Sequence, residues 1–186
     1  MRKLNTKSLI LCSLFAALIA VGAFIKIPVP MVPFTLQVLF STLAGLLLGP
    51  RLGVVSVGIY ILLGLVGLPI FTNGGGPSYI FQPTFGYLIG FLMGVYVTGS
   101  IAHKTKNPSL KKLIIASLAG LAIVYIIGMI YYYFIVNFYL NTSITAIKVL
   151  IYCCLVFIPG DVVSCIVGSI IAKRTIPVIK GQILIS

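Results

Sequence analysis

The chain has 186 residues, of which 60% are hydrophobic and only 8% charged. A water-facing surface needs roughly 25% charged residues, which excludes one large or two small soluble domains. Thirteen Lys and Arg against one acid give a net charge of +12, yet the basic residues punctuate apolar runs instead of clustering on one face, as a nucleic-acid binder requires. An all-α integral membrane protein remains.

About 20 apolar residues cross the hydrocarbon core, and the uncharged runs predict six transmembrane helices in a single domain, at 8–26, 34–49, 52–68, 83–102, 113–139 and 146–172. The first follows a basic Met1-Arg2-Lys3 start but is long for a signal segment. Leu11 before Cys12 is too large for a lipoprotein cleavage box, so a retained helix is expected. Its small residues Ser8, Cys12, Ala16 and Ala20 recur every fourth position, a spacing that lets helices pack closely.

Ile27-Pro28-Val29-Pro30-Met31-Val32-Pro33 is a proline-spaced connector that has to be extended. The second span stops at Gly49-Pro50-Arg51 and the third at Pro69. Both are short for full crossings, which suits helices that end beside a protein-lined cavity. Thr72-Asn73-Gly74-Gly75-Gly76-Pro77-Ser78 then reads as a flexible, polar, chargeless loop. Behind it, Tyr79, Gln82, Thr84 and Tyr87 bring hydrogen-bonding groups, and Phe81 and Phe85 bring flat apolar walls. Glycines permit close backbone approach, so a small-molecule lid is expected here. The plainer alternative is a mobile loop with an aromatic membrane-interface belt.

The sixth run is interrupted by Pro159-Gly160-Asp161. Asp161 is the only acid in the chain, and a carboxylate at that depth costs roughly 2.5–3.5 kcal/mol, so it requires a partner or a function. With no cation in the spans to neutralise it, a ligand-facing role is expected, against the alternative of pairing with a Tyr or Asn on another helix.

Six spans place Arg2, Lys3, Lys7, Arg51, Lys104, Lys106, Lys111, Lys112, Lys173, Arg174 and Lys180 on one side and Lys26 and Lys148 on the other. That division assigns both termini to the cytoplasm, with the basic clusters serving topology and lipid headgroups. His103 falls in a basic loop as a solvated residue. Cys12, Cys153, Cys154 and Cys165 sit in apolar runs as packing residues. One His and one acid cannot furnish a serine, metallo- or aspartyl hydrolase, and no phosphate-binding loop occurs. No enzyme, metal or cofactor is expected.

Several motifs appear in order: Ile27-Pro-Val-Pro, Thr35-Leu-Gln37, Ala44-Gly-Leu-Leu-Leu-Gly-Pro-Arg51, Gly67-Leu-Pro-Ile-Phe71, the triple glycine with Gln82-Pro-Thr-Phe-Gly-Tyr-Leu-Ile-Gly-Phe91, and Pro159-Gly-Asp161. Together, from about Leu14 to Ala172, they resemble the BioY family, the biotin-specific S components of energy-coupling-factor (ECF) transporters. The resemblance implies a six-helix S-component bundle with an external Gly-rich loop over a biotin pocket. It also implies a membrane T component and two ATP-binding subunits as partners, docking on Ala16 and Ala20. On this reading Asp161 accepts the ureido N–H groups by charge-assisted bonds. Asn73, Gln82 or Tyr79 would serve the ureido carbonyl, with Gln37 in the same pocket. Phe81, Phe85 and Tyr87 would hold the bicyclic ring and tail. The family often carries Lys three residues after the Asp, and some members carry Arg in the Gly-rich loop. Here position 164 is Ser and the loop has no Arg, so Lys26 is the expected partner of the biotin carboxylate. An S component for another vitamin, a homo-oligomeric solute channel and a non-transport scaffold stay open as alternatives.

Overall fold

The computed structural model describes residues 6–28, 32–105 and 107–183. Among them, five helical stretches are long and apolar enough to cross a membrane: Thr6–Phe24, Gln37–Leu65, Phe85–Ala102, Leu110–Tyr139 and Ala146–Pro177. Helix α1 (Thr6–Phe24) gives way to strand β1 (Lys26–Ile27), which pairs antiparallel with β2 (Phe34–Thr35), Lys26 opposite Thr35. Part of the proline connector, residues 29–31, lies outside the described residues. The first two helices therefore stop and start two or three residues short of the expected bounds, because the chain beside the prolines is extended rather than helical.

Helix α2 (Gln37–Leu65) is a hairpin. Gly49 has φ 83° and ψ −179°, a conformation that costs a side-chain-bearing residue dearly, and Pro50 follows it. The Gln37 amide lies 2.9 Å from the Tyr60 hydroxyl. A straight helix would hold residues that far apart in sequence about 34 Å away from each other, at 1.5 Å per residue. The two arms, 37–48 and 50–65, thus run back along each other. They touch through small residues: a Cβ on Gly53 would lie 3.2 Å from the Gly45 Cα. The sequence motif read as a helix stop is the reversal at which one helical arm ends and the next begins.

Helix α3 (Phe85–Ala102) packs on both α2 and α4 (Leu110–Phe134). Its Gly90 and Gly94 admit Val124 and Gly120 of α4 so closely that Cβ atoms there would clash, the small-residue contact by which helices associate without a hydrophobic drive. α4 starts three residues earlier than expected because the Ser109 hydroxyl accepts the Lys112 N–H at 3.2 Å and caps the helix. It runs on through a wider π-helical turn, Ile135–Tyr139.

Helix α5 (Ala146–Leu150) likewise widens into a π turn, Ile151–Leu155, before α6 (Ile158–Ile183) begins. The break expected at Pro159 therefore falls upstream, at Val156–Phe157. Proline belongs in a first helical turn, where no N–H is needed, and in a continuous helix its ring would strike the carbonyl of Leu155 four residues back. Asp161 is left in the first turn of α6, where the positive end of the helix dipole favours a carboxylate.

Among the described residues three apolar clusters fill the bundle, one around Tyr60, Phe71, Phe91 and Phe157, a second around Phe15, Leu43, Leu46 and Leu113, and a third around Tyr132, Val136, Val149 and Cys153. Large apolar side chains such as Leu62, Met93, Ile126 and Val163 point outward, as lipid-facing residues do. His103 is not merely solvated: its Nε2 lies 3.0 Å from the Leu46 carbonyl beside the hairpin reversal.

Candidate ligand-binding site

Between β2, the start of α2, the Gly-rich loop, α3, α4 and the head of α6 lies a cleft holding about 590 Å³ of atom-free space, part of it open to solvent. Its apolar lining includes Phe34, Val38, Leu88, Phe91, Val124 and Phe157, and its polar lining includes Thr35, Gln37, Thr72, Tyr79, Thr84, Tyr87, Tyr125 and Asp161.

Asp161 is 4% exposed and faces this cleft. Its Oδ2 accepts the Tyr125 hydroxyl of α4 at 2.5 Å. It pairs with a tyrosine, the alternative weighed for it, and at the same time lines the cavity. Gly160 is needed beside it, because a Cβ there would lie 2.6 Å from the Phe34 ring. That close approach lets the β2 phenylalanine cover the head of α6, stacked near-parallel to Phe157 at 6.4 Å. On the neighbouring wall the Tyr87 hydroxyl donates to the Cys153 carbonyl at 2.7 Å, bridging α3 to the π turn before α6.

Gln37 is held from both ends. Its Nε2 donates to the Tyr60 hydroxyl at 2.9 Å, and that hydroxyl donates on to the Ile70 carbonyl at 3.2 Å. Its Oε1 accepts the Thr35 and Thr72 hydroxyls, each at 3.3 Å. This chain ties the first connector, the hairpin and the Gly-rich loop together over the cleft. The loop also carries backbone hydrogen bonds of its own. Phe71 and Gly74 exchange two backbone hydrogen bonds, at 2.9 and 3.1 Å, and the Gly76 N–H reaches the Gly64 carbonyl at 2.7 Å. Gly74 and Gly76 take φ of 115° and 105°, which those tight turns require. Tyr79 is buried under the loop against Phe71, centroids 4.5 Å apart, and burial pushes its phenol above the usual value. The Thr84 hydroxyl oxygen is buried without a hydrogen-bond partner among the described residues.

The expected site residues divide in two. Asp161, Gln37, Tyr79 and Tyr87 line the cleft. Asn73 and Gln82 are exposed on the loop and do not line it. Phe81 is half exposed and stacks on Tyr139 at 4.9 Å, while Phe85 is buried in the core against Tyr131; neither forms a cleft wall. Lys26 stands at the rim, its ammonium donating to the carbonyl of the cleft-lining Thr72 at 2.7 Å. Ala16 is 4% exposed and belongs to the core, and Ala20 packs partly against it. The neighbouring Cys12 thiol of the same ladder meets the Leu52 carbonyl at 3.5 Å. The ladder thus packs α1 onto α2, and docking a partner on Ala16 would require α1 to move.

Tyr125, Thr35, Thr72 and Phe34 escaped the sequence reading. Tyr125 sits in a run of apolar residues like any core aromatic, and only its approach to Asp161 distinguishes it. No cluster of metal-ligating side chains occurs among the described residues.

Comparison with known proteins places the chain in a family. A family model described as the BioY family matches residues 1–181. The "Probable biotin transporter BioY" of Lysinibacillus sphaericus is 44% identical over 181 residues, 97% of this chain and 92% of that protein. The "Biotin transporter BioY" of Thermotoga maritima is 40% identical over 169 residues, 90% of this chain and 95% of its own. Among solved structures, the S-component for biotin from an ECF-type ABC transporter superposes with a TM-score of 0.80 at 32% identity, covering 94% of this chain and 93% of that one.

Proposed function

The chain belongs to the BioY family, and from that premise we propose that it captures biotin in the cleft and carries it across the membrane as the substrate-binding subunit of an ECF transporter. The observation that carries this reading is Asp161: the only acid in the chain, buried, hydrogen-bonded to Tyr125 and facing an otherwise largely apolar cavity. A cyclic urea supplies an N–H donor that a carboxylate accepts by a charge-assisted bond, and the aromatic and aliphatic walls suit the fused rings and tail. The remaining amide N–H of Gln37 and the unpartnered Thr84 hydroxyl supply donors for the ureido carbonyl. Lys26 at the rim serves the carboxylate at the end of the tail.

In the membrane the two arms of α2 count as separate crossings, giving six. The eleven-to-two division of basic residues orients both termini to the cytoplasm and the cleft to the outside. The protein performs no chemistry itself. Two ATP-binding subunits hydrolyse ATP and, through a transmembrane T component, drive release inward.

Equilibrium binding of labelled biotin to the purified chain in detergent tests the reading, with thiamine, riboflavin and biotin amide as competitors. Saturable one-to-one binding, resisted by the other vitamins and weakened for the amide, is the expected result. Folded protein that ignores biotin, or prefers another vitamin, overturns it.

A further inference from the structure

The two N–H groups of a five-membered cyclic urea point away from each other on either side of the carbonyl, so one carboxylate cannot accept both. Asp161 therefore accounts for only one of them. The second must find an acceptor elsewhere on the cleft wall, and the hydrogen-bond directions in the structure identify it.

A phenol carries a single proton. The Tyr87 hydroxyl lies 2.7 Å from the Cys153 carbonyl, and a carbonyl only accepts, so that proton is donated away from the cleft. The carbonyl is open to Tyr87 because of the π turn. Phe157, whose N–H would bond Cys153 in a regular helix, donates to Cys154 instead, at 2.9 Å. Tyr125 is in the same position, its proton donated to Asp161 Oδ2. Both tyrosines line the cleft, and with their protons donated their phenol oxygens have only lone pairs to offer. Gln37 and Thr84, by contrast, retain donors.

We infer that Asp161, Tyr125 and Tyr87 form an acceptor-only inner end to the cleft, in which Tyr87 accepts the ligand N–H that Asp161 does not. Tyr87 is then a specificity-determining residue that contacts the ligand through its oxygen, rather than an apolar wall. The π turn at Ile151–Leu155 is what fixes its polarity. The ligand that fits best presents two diverging N–H donors, so an isosteric ring lacking either one binds more weakly. The inference deepens the biotin reading and rests on it.

The test uses the full chain in detergent, titrated with biotin and with two isosteric lactam analogues, each having one ureido N–H replaced by CH₂. Biotin binding by the unaltered chain secures the underlying reading first. Tyr87→Phe is then expected to weaken biotin about fivefold, the scale of one neutral hydrogen bond. It should leave the affinity for one lactam, the one missing the N–H that faces Tyr87, unchanged. That unchanged affinity also reports that the variant is folded. Asp161→Asn should show the opposite lactam dependence. The assignment is overturned if Tyr87→Phe binds biotin as tightly as the unaltered chain does. It is equally overturned if the variant loses the same factor for biotin and for both lactams.

Discussion

The inner end of the cleft and its mouth are built on different principles. The inner end consists of side chains on α3, α4 and α6, buried and locked by Tyr125 to Asp161 and by Tyr87 to Cys153. The mouth consists of loop residues, several exposed, held by backbone bonds and by Lys26 to Thr72. In a low-dielectric interior a hydrogen bond to a charge counts for more, and an unmade one costs more, than at a wet rim. On the proposed reading, discrimination belongs to the inner end and retention to the mouth.

The sharpest way to break that division is Asp161→Asn. It should cost about 1.5–3 kcal/mol of biotin affinity, the range for hydrogen bonds to charged groups, and titration calorimetry would read it. Gly64→Ala probes the mouth through its foundations. A Cβ there would lie 2.1 Å from the Phe71 ring, so the loop has to shift. Overpacking of this kind costs about 1–3 kcal/mol, expected as a lower melting temperature and faster biotin release with little change in selectivity. Tyr125→Phe leaves Asp161 without its partner and should weaken biotin about fivefold, as one hydrogen bond does, with competition by riboflavin still absent. Lys26→Ala should be the mildest. An exposed ion pair is worth roughly two- to fivefold in affinity, and this difference should vanish at high salt and for biotin amide.

How far the sequence carried differs between the same two regions. The membrane class, the turn at Gly49-Pro50 and the need of Asp161 for a buried partner were legible because composition, helix-breaking residues and a lone buried acid each have one physical meaning. Loop residues such as Asn73, Gln82 and Phe81 attracted attention for their chemistry, yet they face outward or pack on α4. Nothing local to the loop says which side of it meets the cavity. Tyr125 and the Cys153 carbonyl were invisible for the converse reason. A tyrosine among apolar residues and a backbone carbonyl acquire a role only when another helix arrives beside them. The small-residue ladder of α1 showed the same ambiguity. Close spacing announces a packed face, and the structure places α2 against it.

The central claim is that recognition resides on the helices and not on the loop. The most direct measurement compares biotin affinity in Asp161→Asn with that in the combined loop variant Asn73→Ala, Gln82→Ala. A loss of at least about tenfold in the first, the low end of the charged hydrogen-bond range, with nearly unaltered affinity in the second, is the predicted result. Full affinity in Asp161→Asn, or a larger loss in the loop variant, would contradict it.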